Sequence, residues 1–217
     1  DLADAVEAIC AIKGVQRVRL GSLEPTIITR DFLNRVTKHK EFAKNFHLSL
    51  QSGCDTVLKR MNRKYTTQEY FQAVQRIRKN DSFASISTDI ITGFPGETEE
   101  EFFETAEFVK KVGFAWIHIF PYSQREGTAA SKMPNQVLKE TRTKRAHRLS
   151  VIQEEKGREY RSQFIGKTKT VLCETNENGI QMGLIGEHIP VFFESKPIEN
   201  EFIKVKINQF YGIEIND

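Results

Sequence analysis

Apolar and polar positions along the chain switch between two periods. Short runs with strand character, "VQRVRL" (15–20), "FHLSL" (46–50), "ISTDII" (86–91) and "FAWIHIF" (114–120), alternate with segments whose apolar residues recur every three or four positions. Those helical segments are "RDFLNRVTKHKEF", "TVLKRM", "TTQEYFQAVQRIRK", "EEEFFETAEFVKKV" and a long stretch from about 136 to 162, with a further helical stripe of Leu2, Val6, Ile9 and Ile12 at the start. The order βαβαβαβα predicts an α/β fold with a parallel sheet. Two helix starts are marked chemically: Thr66 with Glu69 and Thr98 with Glu101 have capping-box spacing. After about residue 166 the pattern becomes "TKTVLCE", "IQMGLIG", "IPVFFE" and "FIKVKI", short strands separated by turns, which predicts a small all-β barrel or sandwich. The expected division is therefore 1–165 and 166–217.

Strand parity carries more information than strand existence. His47, Ser49 and Gln51 share one face against Phe46, Leu48 and Leu50; Ser85, Ser87 and Asp89 oppose Ile86 and Ile90; His118 opposes Ile117 and Ile119; Arg17 and Arg19 oppose Val18 and Leu20. A closed eight-stranded barrel has a branched apolar interior, and a sheet covered on both faces is apolar on both. One polar face instead fits an open sheet with helices on one side and a ligand-sized polar concavity on the other, or, more plainly, edge strands facing water. The leading strand, around Arg17 to Leu20, is expected to be an unpaired edge or to be covered by a neighbouring chain.

Ligands of parallel α/β folds bind beyond the carboxyl ends of the strands. Those ends are "LGSLEPT", "LQSGCD", "ITGFPGET" and "FPYSQREGT", rich in Gly, Ser, Pro and charge. The Gly93-Phe94-Pro95-Gly96 turn could face an anion through free amides, but Glu97, Glu99, Glu100 and Glu101 crowd the same helix start. A neutral or cationic group near Glu97 is expected, or a tight turn with no ligand at all.

Composition adds limits. The chain has 217 residues, a net charge of +3 and a sequence pI near 8.7, a mild excess that permits a nucleic-acid partner without requiring one. Cys10, Cys54 and Cys173 are too far apart for any metal-ligand spacing, so no metal ligands are expected in this stretch and the thiols look reduced, as in a cytoplasmic protein. No apolar run is long enough to span a membrane, so no membrane partner is expected. The chain begins on Asp1 inside a helical pattern and is expected to be part of something longer. Charge is concentrated between 139 and 169, where Arg145, Arg148, Lys167 and Lys169 stand among ten cationic residues against four acids. Lys204 and Lys206 then alternate with Ile203, Val205 and Ile207. A solvated helix face or a phosphate-contacting stripe explains this run.

"HLSLQSGCDTVLKRMNRKYT", "DIITGFPGETEEEF" and "IHIFPYSQREGTAA", in that order, resemble the radical S-adenosylmethionine methylthiotransferases that modify adenosine 37 in the anticodon loop of tRNA. The resemblance covers nearly the whole chain. "RMNRKYT" and "FPYSQREGT" look most like the branch acting on threonylcarbamoyladenosine. It implies the last four units of a partial, open (β/α) barrel followed by an OB-like RNA-binding TRAM barrel. It also implies S-adenosylmethionine and two [4Fe-4S] clusters in the full-length enzyme, whose cysteine ligands are absent from these residues; the fragment alone would be inactive. Cys54 stands where the family usually has Ser. By the same resemblance Arg19, Ser22, Gln51, Ser52, Asp89, Gly93, Gly96, Glu97 and Tyr122 would surround the cofactor or the substrate base. No catalytic residue is singled out. A ribosomal-protein methylthiotransferase and a non-catalytic RNA-binding fragment stay open, and the oligomeric state is not legible.

Overall fold

The computed structural model describes residues 1–208, which form two four-stranded sheets. The elements are α1 (Leu2–Cys10), β1 (Ser22–Leu23), α2 (Arg30–Val36), β2 (Asn45–Leu48), α3 (Asp55–Arg60), α4 (Thr67–Asn80), β3 (Ser85–Thr92), α5 (Glu99–Val112), β4 (Trp116–Pro121) and α6 (Lys139–Ser162). They are followed by β5 (Thr168–Glu177), β6 (Ile180–Leu184), β7 (Pro190–Glu194) and β8 (Phe202–Lys206). Strands β1 to β4 are parallel and lie in chain order, an open sheet.

The helices sit on the apolar face. Phe46, Leu48, Ile86, Ile90 and Ile117 are buried there with Val6, Leu33, Val74, Tyr70, Phe102, Val109 and Leu149 from the helices. Helix starts form where the chemistry predicts: the Thr66 and Thr98 hydroxyls each cap their helix, and their backbone amides donate in return to the Glu69 and Glu101 carboxylates. Helix α5 ends on Gly113, whose φ of 61° suits a residue without a Cβ.

One strand expectation moves. Residues 15–20 join the sheet only through a bridge from Val18 to Phe42, and the edge strand is the short pair Ser22–Leu23 alongside His47 and Leu48. Arg17 explains the displacement: its guanidinium donates to the carbonyls of Leu184 (2.7 Å) and Thr170 (3.2 Å) and lies over the Phe202 ring. The segment is thus held against the second sheet.

That second sheet is antiparallel, in the order β7-β6-β5-β8, with a bulge between Cys173 and Thr175. Among the described residues it is an open sheet, and the barrel expected over 166–217 extends into residues 209–217, outside those described. Phe164, Val171, Ile185, Ile189, Val191 and Ile207 form its own core, together with Ala115 and Tyr160 from the first unit. It docks at the amino-terminal ends of the parallel strands. Ser85 Oγ donates to the Glu187 carbonyl (2.5 Å) across this junction.

Candidate functional site

Register brings the polar side chains of the parallel sheet into rows. Ser22 pairs with His47, His47 with Ser87, and Ser87 with Trp116; one step along, Asp89 pairs with His118. Side chains directly opposite in a sheet share a face, so these rows line the side away from the helices. His47 is fixed at both nitrogens, with Nε2 3.2 Å from Asp89 Oδ2 and Nδ1 3.1 Å from Ser87 Oγ. His118 completes the group: its nearest ring nitrogen, His47 and Asp89 all lie within 4.8 Å of one another. At the amino-terminal end of the face, Asn45 donates to Ser85 Oγ (2.8 Å) and accepts from Arg19 (3.4 Å).

The turns at the carboxyl ends are largely occupied by the protein's own groups. Glu97, 6% exposed, accepts from the Gly93 amide (2.9 Å) and from Arg145 Nη1 (2.8 Å). The cationic group expected near Glu97 is therefore Arg145. Burial pushes the Glu97 carboxyl up, against the pull of the Gly93 N–H and the guanidinium. Gly93 has φ of 70°, and a Cβ there would overlap the Arg142 side chain, so this glycine admits the close approach of helix α6. The Gly96 amide donates to the Asn135 carbonyl (2.9 Å). Ser52 is buried, its hydroxyl 3.2 Å from Thr105 Oγ1, and serves the turn. Tyr122, just after β4, packs edge-on against Phe94 and beneath Arg142.

The basic residues divide in the same way. Arg145, 5% exposed, is spent on Glu97 and Glu99 and does not face an RNA backbone, a correction to the reading of the 139–169 run. Arg148 is paired with Glu99 and lies over Phe102, Lys169 is bonded to Glu187 (2.5 Å), and Lys167 lies over the Phe83 ring. The charge run looked like a stripe because its acidic partners come from α5 and the second sheet, far away in sequence. Lys204 and Lys206 are exposed on the edge strand β8.

Of the residues expected around a ligand, the face keeps Asp89, with exposed Arg19 and Ser22 beside it and Gln51 at the strand end, where Gln51 has φ of 71°. Motif reading passed over His47 and His118 as site residues and missed Trp116 and Phe120 altogether. These two rings are 47% and 50% exposed and flank His118 on β4. Their signal was available: aromatic or imidazole rings at i, i+2 and i+4 of one strand share a face.

A description of the radical SAM superfamily matches residues 1–109, half of the chain. The chain belongs to the radical SAM superfamily. It is 35% identical over 202 residues to the threonylcarbamoyladenosine tRNA methylthiotransferase MtaB of Bacillus subtilis, covering 90% of this chain and 45% of that protein. It is 33% identical over 214 residues to a tRNA-2-methylthio-N(6)-dimethylallyladenosine synthase of Lachnoclostridium phytofermentans, covering 97% and 47%. The chain spans about half the length of the curated relatives it matches. In structure it is similar to the radical SAM enzyme coproporphyrinogen III oxidase (HemN) of Escherichia coli, with a TM-score of 0.55 at 15% identity over 78% of this chain and 44% of that one, a likeness of fold.

The radical SAM family implies S-adenosylmethionine and an iron-sulfur cluster, and the residues fit the two differently. Cluster ligation needs thiolates that converge. Cys10, Cys54 and Cys173 lie in α1, before α3 and in β5, all buried, and burial pushes each thiol up, away from the thiolate. They do not form a cluster site. The fold does gather two groups of three potential ligands that spacing did not reveal, Cys10 with His39 and Glu41, and His47 with Asp89 and His118. For S-adenosylmethionine, a cationic sulfonium joined to a purine nucleoside, the second group offers a carboxylate and two imidazoles on an uncovered face, a suitable set of polar partners.

Proposed function

We propose that this radical SAM chain is the carboxyl-terminal part of a tRNA methylthiotransferase acting on carbon 2 of N6-modified adenosine 37, with the threonylcarbamoyl derivative favoured. The observation that carries the reading is the polar face of the parallel sheet, with His47, Asp89 and His118 in contact and a lysine-edged antiparallel sheet at its amino-terminal end. Support from sequence is the order of three motifs and the names of the MtaB and synthase relatives. S-adenosylmethionine, when bound with its cluster, supplies radical removal of hydrogen from an unactivated carbon. The cluster ligands would lie in the longer protein, outside this chain.

The work of these residues is orientation. Asp89 and His47 present acceptor and donor atoms to a purine or to the cofactor, while Ser87 holds the second His47 nitrogen and so limits rotation of the ring. Helices pack on the other face and hold the strands, and so the row of polar side chains, in fixed register. Exposed Lys204 and Lys206 would meet phosphates, and the protein would act in the cytoplasm, where tRNA is modified. The test is nucleoside mass spectrometry of tRNA from cells lacking the full-length gene, with and without its restoration. Loss and return of the 2-methylthio group on threonylcarbamoyladenosine is expected. Loss on the isopentenyl nucleoside would reassign the branch, and no change in either would overturn the reading.

A further inference from the structure

The least explained surface of the chain is the outer strand of the parallel sheet. Trp116, His118 and Phe120 project from β4 onto the polar face, with Trp116 edge-on to His118 at 6.2 Å and the His118 and Phe120 rings within 19° of parallel at 6.5 Å. Large aromatic rings this exposed carry a cost in water. Nothing among the described residues covers them, whereas Ile117 between them is buried in the core. A strand that hides one side chain and shows rings on either side of it is built to present those rings.

We infer that Trp116, His118 and Phe120 form a stacking platform for unpaired RNA bases, set beside His47 and Asp89, which read the edge of one base; this rests on the tRNA reading and specifies how its loop is held. Two features favour RNA over an apolar protein partner. The platform adjoins polar groups: His118 and His47 rings are 5.9 Å apart, and His47 is bonded to Asp89. An apolar surface seated on the rings would strand that carboxylate, while a base edge offers it N–H donors. Cations also continue from the face toward the second sheet. Arg19 reaches Asn45, Arg17 donates to the Thr170 carbonyl, and Thr170 pairs with Lys204. Asp89 repels phosphate from the middle of the face, and Arg19 and Lys204 attract it at the end, so bases would lie on the rings with the backbone leaving toward the antiparallel sheet. Aromatic stacking with a cationic track is how proteins hold single-stranded RNA.

Trp116 is the sole tryptophan of the chain and reports directly on this surface. The experiment titrates the 217-residue chain with a hairpin RNA bearing an adenine-rich loop and with a blunt duplex of equal phosphate number. It follows tryptophan emission, and separately the anisotropy of a label on the RNA stem. Quenching by the hairpin and not by the duplex is expected. Phe120→Ala, read by Trp116, and Trp116→Leu, read by anisotropy, should each weaken hairpin binding roughly 5- to 150-fold, with duplex binding and circular dichroism unchanged. Hairpin binding without quenching, or with affinity indifferent to both variants, would overturn the platform and leave the tRNA reading standing. Binding of neither RNA would overturn the platform, the tRNA reading being decided by the nucleoside assay. Concentration-dependent dimers with shielded Trp116 in the absence of RNA would assign the rings to a second copy of the chain and overturn the platform.

Discussion

Replacing Glu101 by Gln tests how the turn after β3 is tied to the rest of the sheet. The Glu101 carboxylate accepts both arms of the Arg60 fork, at 2.9 and 2.6 Å, as well as the Thr56 hydroxyl at 2.5 Å and the Thr98 amide at 3.0 Å. It therefore closes the cap of α5 and joins that helix to α3. Arg60, first among these partners, holds the carboxyl down from 4.5 to about 2. That drop corresponds to at most about 3 kcal/mol of stability favouring the ionised form. Arg60 is 32% exposed and Glu101 15%, so solvent screening brings the expected loss in Glu101→Gln to about 2 kcal/mol near neutral pH. Because the folded-state value is depressed, this contribution is complete above the ordinary value of 4.5 and is lost as pH falls toward about 2. Urea unfolding of the wild-type chain and the variant, each across that range, measures the gap between them. Carboxylates common to both cancel in the difference. The midpoint should fall with unchanged slope at neutral pH, and the gap should close in acid. A loss under about 0.5 kcal/mol, or a gap as wide at about pH 2 as at neutrality, would refute the assignment of Arg60 as the main partner.

Arg145→Ala should cost about 3 to 5 kcal/mol by calorimetry or urea unfolding, because Glu97 would be left buried without its counter-charge; a change under about 1 kcal/mol would show that water reaches the carboxylate. Gly93→Ala should destabilise by at least about 1 kcal/mol, from a positive φ and overlap with Arg142 together, and a neutral effect would mean that α6 sits farther from the turn. Lys204→Ala with Lys206→Ala should leave the unfolding midpoint nearly unchanged while reducing the slope of log tRNA affinity against log salt by roughly 0.7 to 0.9 per lost phosphate contact. An unchanged slope would remove β8 from the RNA contact.

Parity was legible because it follows from covalent geometry: once "FHLSL" and "ISTDII" are strands, His47, Ser87 and Asp89 must share a face, and the structure places them there in contact. Capping boxes were legible for the same reason, each being complete within four residues. The fate of the charges was not. Arg145 and Arg148 look like a free basic face until α5 delivers Glu99 beside them, Glu97 closing on Arg145 as well, and Arg17 looks like a strand residue until carbonyls from residues 170 and 184 claim it. Pairings across more than forty positions leave no periodic trace. The neighbour of Gly93 was not legible for a related reason. A positive φ can be foreseen from a Gly-Phe-Pro-Gly turn, but which group approaches the missing Cβ depends on where α6 returns.

These reassignments change where a ligand can lie. The acidic turn of residues 93–99 is bound by Arg145, Asn135 and its own amides, so it works as a clasp between β3, α5 and α6. Polar groups left for an outside molecule are then those of the middle of the sheet, where His47, Asp89 and His118 meet, and those toward the amino-terminal ends, where Arg19 and the second sheet stand. A fold with helices on one face admits a ligand from the other or along the exposed edge strand β4. A ligand entering across β4 would then meet His47, Asp89 and His118 together. A molecule held on one rigid row loses motion relative to it on binding. The rigidity is supplied by the clasp at one end and by the docked antiparallel sheet at the other, which is why so many charges of this chain are spent on holding it together.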